Sequence, residues 1–556
     1  MFRTILKYPK YNAIENNNVF NIILLYFLFI VIIIVANINV PIAIGLDPAN
    51  GFMTLKSYLN GSAHFNYLEF PDINSINQNT SEWQSWWSPG QYAIPSFFSH
   101  LFKISIGDGT LITIIFFSIF SLFGYFKMFL HFKFSHLTAI LSICIISSQR
   151  YFLMPFSIYN GGEVLLMGFV PWSIIFLDQC FSKSSLSLLI ICTFGIFLKL
   201  SFFITMTSIL FYLFLRSTYS IKRPLTALKL RGLIKIFLKL SIIFLSIFIL
   251  IYINKEIGNN SSPSNSNNFN PIVMDFLIPL AAPFVSAFGI DDFITKFVDF
   301  KIQKSGWYSV NGLYSHHPEY FYIPILFILI LIIYHIQKIP SIRNSNYLKL
   351  FMAFYIVHLT MFTYLYTFNA YVSYESRHHR TVGILLIPLY IEFITHLIRN
   401  KSKLHMLISK IHILFIITFA IYGIYGFTNR KNYIRNNSVY TNNGFAQLDA
   451  SSKLISKLLT LEDSFENKNS LFYCYSSNLA TEINKNRVLY FDDDFISTDD
   501  IKKRKIQGRV ANLFVIYPCR FNANGKSLLL RKCFVNHTQF QLIFNDGKYE
   551  ILHSTY

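Results

Sequence analysis

The sequence predicts an α-helical polytopic membrane protein of about eleven spans, followed by a small extracytoplasmic α/β domain. Three observations lead there. Of the 556 residues, 53% are hydrophobic and 18% aromatic while only 14% are charged, which lies far from the composition of soluble domains. Apolar runs recur at spanning length, a span needing about 20 residues because the hydrocarbon core is ~30 Å thick and a helix rises ~1.5 Å per residue. Lys and Arg gather in alternate loops, as the retention of cationic loops on the inner side requires.

The runs, in order, are Val19 to Val40, Leu111 to Leu130, Leu137 to Ser148, Val164 to Leu177, Ile236 to Ile253, Tyr322 to Ile336, Leu350 to Phe368, Val382 to Ile398 and Ile411 to Phe427. One more, Leu186 to Leu215, is too long for a single ordinary span. Arg3, Lys7 and Lys10 place the N-terminal side inside. Lys222, Arg223, Lys229, Arg231 and Lys235 must then be inside as well, so Leu186 to Leu215 crosses twice and turns near Lys199. Alternation then puts Lys338, Arg343, Lys349, Arg399, Lys401, Lys403 and Lys410 inside and the C-terminus outside. Tyr92 to Ile106 is left as a short apolar helix in the outer interface or re-entering the membrane. The first run is read as a membrane anchor, because it is too long for a signal peptide and no cleavage site follows it.

The chain thus divides into a transmembrane part, residues 1–429 with outer loops at 45–92 and 255–321, and a soluble outer part, residues 430–556. The second loop carries an Asn/Ser-rich linker, Asn259 to Asn270, and then Phe276 to Phe288, apolar enough to lie on the membrane. In the tail, helical patterns at Ser451 to Phe465 and Thr498 to Arg509 alternate with strand-like runs at Leu471 to Tyr475, Val488 to Phe491 and Leu513 to Tyr517. Asn545-Asp546-Gly547 is a hairpin signal.

The net charge of +20 sits largely in the inner loops. It is therefore read as a topology determinant beside anionic lipid, and no nucleic-acid partner is expected. Of six cysteines, Cys474, Cys519 and Cys533 fall in the tail. One disulfide there, with Cys519 and Cys533 the first pair to consider, is an expectation that rests only on the oxidising compartment. Zinc motifs, a P-loop, a dinucleotide fingerprint and a nucleophile elbow are all missing from the sequence.

Several elements occur in one order. Asp47 follows the first run; Trp86-Trp87-Ser88-Pro89 precedes the short apolar helix; Gln149 to Glu163 forms a second outer loop; Gly195 to Lys199 makes a Gly-x-x-x-Lys element. Tyr314-Ser315-His316-His317-Pro318-Glu319 and Glu375-Ser376-Arg377-His378-His379-Arg380 each precede a span. Over roughly Met1 to Arg430 this order resembles the GT-C glycosyltransferases, membrane enzymes that take sugars from polyprenyl-phosphate carriers, and is most similar to the protein O-mannosyltransferase and aminoarabinose transferase branches. The chain departs from the former in having no second acid beside Asp47, and it has no WWDYG element.

The resemblance implies a GT-C-like fold and a transferase that moves sugar from a polyprenyl-phosphate donor to a lipid, glycan or protein acceptor at the outer face. It implies that Asp47 is the base or an acceptor anchor, since a carboxylate can take the acceptor's proton as the new bond forms. Asp47-Pro48 equally starts a turn. Glu163 stands where the family places a second acid, and an acid opening a helix is also favoured by the helix dipole. No metal is predicted without a DxD spacing and no cofactor is certain, although Asp47 and Glu163 together are able to ligate a divalent cation.

The leaving phosphate needs cationic donors set in place beforehand. Arg377, His378 and Arg380, beside His379, gather where a span meets the outer surface, against the usual charge bias; headgroup contact is the rival reading. Lys199, an ionisable residue in an apolar region, is a phosphate candidate. His316, His317 and Glu319 are candidates for the donor sugar or its phosphate, or simply hydrated loop residues. Trp86 and Trp87 either stack on sugar and guide the prenyl chain or belong to an interface belt.

Other functions remain open: a transporter or flippase of lipid-linked glycans, or a silent GT-C-like scaffold presenting the tail. Transporters tend to carry midplane charges and repeated halves; here the acids gather at the outer edge. The Lys/Asn/Ile-rich composition suggests a bacterial cytoplasmic membrane.

Overall fold

In a computed structural model the protein is described over residues 17–60, 67–72, 75–84, 88–180, 185–219, 273–290, 293, 319–343, 345–368, 376–400, 402–448, 450–466, 468–491, 505–523 and 525–556. The expected span from Ile236 to Ile253 and the linker from Asn259 to Asn270 lie outside the described residues.

Among the described residues five helices are long and apolar enough to cross a membrane: Ile106–His131, Gly162–Gln179, Asn346–Thr367, Arg377–Arg399 and Lys403–Asn437. A bent pair, His136–Ser148 with Arg150–Phe156, makes a sixth if counted as one span. The chain is an integral membrane protein on this showing. Shorter apolar helices occur at Leu24–Ala36, Leu188–Leu198, Phe202–Arg216, Val273–Phe288 and Tyr322–Gln337.

The elements that place the site come first in the chain. Helix α1 is Asn17–Ala36, strand β1 Ile42–Ile44 and helix α2 Leu46–Leu59. A hairpin, β2 Tyr67–Asp72 with β3 Ser75–Trp83, leads to α3, Gly90–Phe102, the expected short apolar helix. Helix α4, Ile106–His131, starts where the Ser105 hydroxyl accepts from the Asp108 amide at 3.1 Å, a side-chain cap for a helix start. Lys133 turns the chain at φ 69°, and Ser135 caps α5, His136–Ser148, in the same way at 3.0 Å. Helix α5 stops because Gln149 is extended (φ −73°, ψ 147°) and the chain bends by 66°.

After the strand β4, Ile158–Tyr159, comes α6, Gly162–Cys180. The long apolar run then divides into α7, Ser185–Leu198, and α8, Phe202–Tyr219, with the turn at Lys199 as expected. Helix α9, Val273–Phe288, corrects the sequence reading. Instead of lying on the membrane it packs inside the bundle, with Leu277, Ile278, Ala281, Ala282, Phe284 and Val285 all buried. Small residues permit this: a Cβ on Gly383 of the neighbouring helix would lie 2.4 Å from the Ser286 hydroxyl oxygen. The bundle is completed by α10, Glu319–Gln337, α11, Asn346–Thr367, α12, Arg380–Arg399, and α13, Lys403–Asn437, all sharing one large apolar core.

Beyond α13 the chain returns to the bundle before it leaves. Strands β5, Ser438–Tyr440, and β6, Phe445–Leu448, join β1 and β4 in a four-stranded sheet ordered β4-β1-β6-β5, with β1 parallel to both neighbours. Helix α14, Ser452–Ser464, then covers a five-stranded mixed sheet made of β7 Ser470–Tyr475, β8 Arg487–Phe491, β9 Asn512–Pro518, β10 Gln541–Asn545 and β11 Tyr549–Thr555, ordered β10-β11-β9-β7-β8. The Asn545-Asp546-Gly547 hairpin joins β10 to β11.

Two expectations for the tail are overturned. The described end of Thr498 to Arg509 is extended, with Ile506 bridged to Phe534, and Gly508 at φ +92° is left-handed, which no helix accommodates. No disulfide joins Cys519 to Cys533; the Cys533 thiol donates to the Leu529 carbonyl and the Cys519 thiol to Asn545.

Candidate active site

Glycines let three helix ends converge. Gly161 is left-handed at φ +87°, and a Cβ there would lie 2.2 Å from the Gln91 side-chain oxygen. That oxygen instead accepts from the Gly162 amide at 3.1 Å, tying the start of α6 to α3. A Cβ on Gly90 would lie 2.6 Å from the Phe197 carbonyl, and one on Gly162 would lie 2.9 Å from Lys199 Cβ. The starts of α3 and α6 therefore rest directly on the turn between α7 and α8. The turn is compact for a related reason: Gly195 faces the Phe202 ring, and the Lys199 amide closes the last turn of α7 on the Gly195 carbonyl at 2.9 Å.

This packing delivers Glu163, in the first turn of α6, to Lys199. The ammonium donates to Glu163 Oε1, with both side chains largely buried. From the other side a short 3-10 turn, Ser376–His379, runs into α12 and brings Arg377, His378 and Arg380 to the same place. Both guanidiniums act through space on the Glu163 carboxylate, and Arg380 also lies over the Tyr151 ring at 5.1 Å from its centre.

Together these side chains line one partly open cavity. Its remaining wall includes Tyr125 of α4, Ser201 just ahead of α8, Thr205 of α8, His358 and Phe362 of α11, and Thr381 of α12. Among the described residues three cationic side chains, Lys199, Arg377 and Arg380, thus face one carboxylate, leaving a net positive lining suited to an anion. Charge-assisted hydrogen bonds to a phosphate are short and strong, and arginine offers two at once.

Of the residues singled out in the sequence, the cavity brings together Glu163, Lys199, Arg377, His378 and Arg380. Asp47 is the second residue of α2, and Glu319 opens α10; both are placed by their backbones alone. Trp86, Trp87, His316 and His317 lie outside the described residues. Among the described residues no three His, Cys, Asp or Glu gather as metal ligands.

Tyr125, Thr205 and His358 were not singled out in the sequence. His358 carried a usable signal, an ionisable residue inside the Leu350 to Phe368 run, where such residues are costly. Tyr125 carried none, being one aromatic among many. The tail also touches this region: the Asn478 amide donates to the Ile44 carbonyl at 3.1 Å, just ahead of α2.

No family model matches the chain, and no curated protein does. Among solved structures it is similar to ArnT from Cupriavidus metallidurans in the apo state, at 8% identity and a TM-score of 0.45, covering 96% of this chain and 98% of that one. It is also similar to ArnT from the same organism bound to undecaprenyl phosphate, at 9% identity and a TM-score of 0.38, with the same coverage.

Proposed function

We propose that the protein is a glycosyltransferase that takes a sugar from a polyprenyl-phosphate donor and passes it to an acceptor at the outer face of the membrane. The observation that carries this reading is the cavity that Lys199, Arg377 and Arg380 line together with Glu163. A phosphodiester held there has its charge matched before reaction, and the arrangement stabilises the further charge that develops as the sugar departs.

In the proposed step an acceptor hydroxyl or amine bonds to the anomeric carbon while the bond from that carbon to the phosphate oxygen breaks. The phosphate keeps the bonding electron pair and leaves as polyprenyl phosphate. The acceptor's proton passes to a carboxylate. Asp47 is proposed for that role, because Glu163 is already engaged by the Lys199 ammonium. Glu163 is then a positioning residue that holds Lys199 toward the phosphate.

The test uses the full-length protein in lipid nanodiscs with a panel of polyprenyl-phosphate-linked pentoses and hexoses and mixed envelope lipids as acceptors. Release of polyprenyl phosphate that is lost in Asp47→Asn and reduced at least tenfold in Arg377→Ala supports the reading. Absence of release and of saturable binding for every donor, with the protein folded, overturns it and leaves the transporter and scaffold readings.

A further inference from the structure

The cavity has a second chemical character besides its cations. His358 is buried, and its Nδ1 lies 2.9 Å from the Phe354 carbonyl oxygen. A carbonyl only accepts, so Nδ1 carries the hydrogen and donates. In the neutral imidazole the other nitrogen, Nε2, is then a bare acceptor. Tyr125 is fully buried, and its hydroxyl has no hydrogen-bond partner among the described residues. A buried hydroxyl left unpaired costs free energy and is uncommon in native proteins. Both side chains line the same cavity as the cations.

A phosphodiester has only acceptor oxygens. It is therefore matched by Lys199, Arg377 and Arg380 and mismatched to the His358 Nε2 lone pair. A sugar hydroxyl both donates and accepts, which is the pair of functions that His358 and Tyr125 offer together. Phe362, buried in the same wall, adds an aromatic surface for the sugar's C–H groups.

We propose that Tyr125 and His358 bind the sugar of the donor, Tyr125 giving a hydrogen bond to a ring hydroxyl and His358 Nε2 receiving one, so that they set which sugar is accepted. The inference rests on the transferase reading above and adds the part of the cavity that reads the sugar.

Tyr125→Phe removes one unpartnered hydroxyl, so the melting temperature should not fall. The variant and His358→Phe are compared with the wild-type protein on the best donor of the panel and on its monodeoxy analogues, with polyprenyl phosphate alone as a binding control. The wild-type protein should lose about tenfold in kcat/KM on one deoxy analogue, the value of one good hydrogen bond. A variant lacking the matching group should lose the same factor on the complete donor, treat that deoxy analogue no worse, and bind polyprenyl phosphate as before. Variants that discriminate among the analogues as the wild-type does overturn the inference while leaving the transferase reading intact. Tyr125→Phe that loses polyprenyl phosphate binding together with stability overturns it too, by making the residue a support of the fold. Turnover or binding of no donor by the wild-type protein is a failure of the transferase reading itself.

Discussion

The ammonium of Lys199 donates to Oε1 of Glu163, joining the start of α6 to the turn between α7 and α8. The pair is enclosed, with side-chain exposures of 23% and 20%, and it does not stand alone. The guanidiniums of Arg377 and Arg380 also act through space on the same carboxylate, so the two partners are unequal.

That inequality predicts asymmetric effects. Glu163→Gln leaves three cations facing one another, whereas Lys199→Met leaves a carboxylate still flanked by Arg377 and Arg380. Removing one partner of an enclosed pair costs a few kcal/mol, and partial exposure here reduces it to about 2 kcal/mol. Glu163→Gln should therefore lower the melting temperature in nanodiscs more than Lys199→Met. Affinity for polyprenyl phosphate should move the other way, weaker in Lys199→Met and tighter in Glu163→Gln. Equal losses in both measurements would contradict the cationic-cavity reading.

The turn holding Lys199 depends on a missing side chain. A Cβ on Gly195 would lie 2.1 Å from an atom of the Phe202 ring, so Gly195→Ala must push α7 and α8 apart. Overpacking of this kind costs ~1–3 kcal/mol, and it should displace Lys199 as well. We expect Gly195→Ala to lower both stability and polyprenyl phosphate affinity, and Phe202→Leu in the same chain to restore part of each. A double variant no better than the single one would show that the contact does not set the turn.

In the tail, Glu482 is enclosed under β6. Burial pushes its carboxyl up to about 7, against the hydrogen bonds given by Gln447 and Thr441, the charge of Lys56 and the hydrogen bond from Asn443. The folded protein therefore holds this proton more tightly than the unfolded chain, whose value is 4.5. Stability from this group is complete below about pH 4.5, falls between there and about pH 7, and is level above, a total of ~3 kcal/mol. Lys56, whose amine burial lowers to about 8, has the opposite sign, its contribution rising with pH only above that value. Hydrogen exchange of the β6 amides in the whole protein should accelerate from pH 5 to 7 after correction for the intrinsic rate. Glu482→Gln should remove that dependence, and a slope that survives it would place the titration elsewhere.

Legibility in the sequence followed the range of the interaction. The described apolar helices and the break at Lys199 were readable, because apolar length is a local consequence of the bilayer. The hairpin at Asn545 to Gly547 was readable because turn chemistry is local too. Helix α9 was misread: an apolar segment looks the same whether lipid or protein covers it, and only the close approach at Gly383 and Ser286 decides between them.

The site divides along the same line. Glu163, Lys199, Arg377 and Arg380 announce themselves in the sequence, since a charge at a membrane edge needs a reason wherever it occurs. That they meet was decided by tertiary structure, through glycines at 90, 161 and 162 whose neighbours lie far away in the chain. Tyr125 belongs wholly to that second category, whereas His358 shows in the sequence only as an ionisable residue within an apolar run. A buried phenol or imidazole declares its purpose only when the surrounding fold is seen to leave it facing a cavity, because hydrogen bonds unmade by the protein leave no mark in the order of its residues.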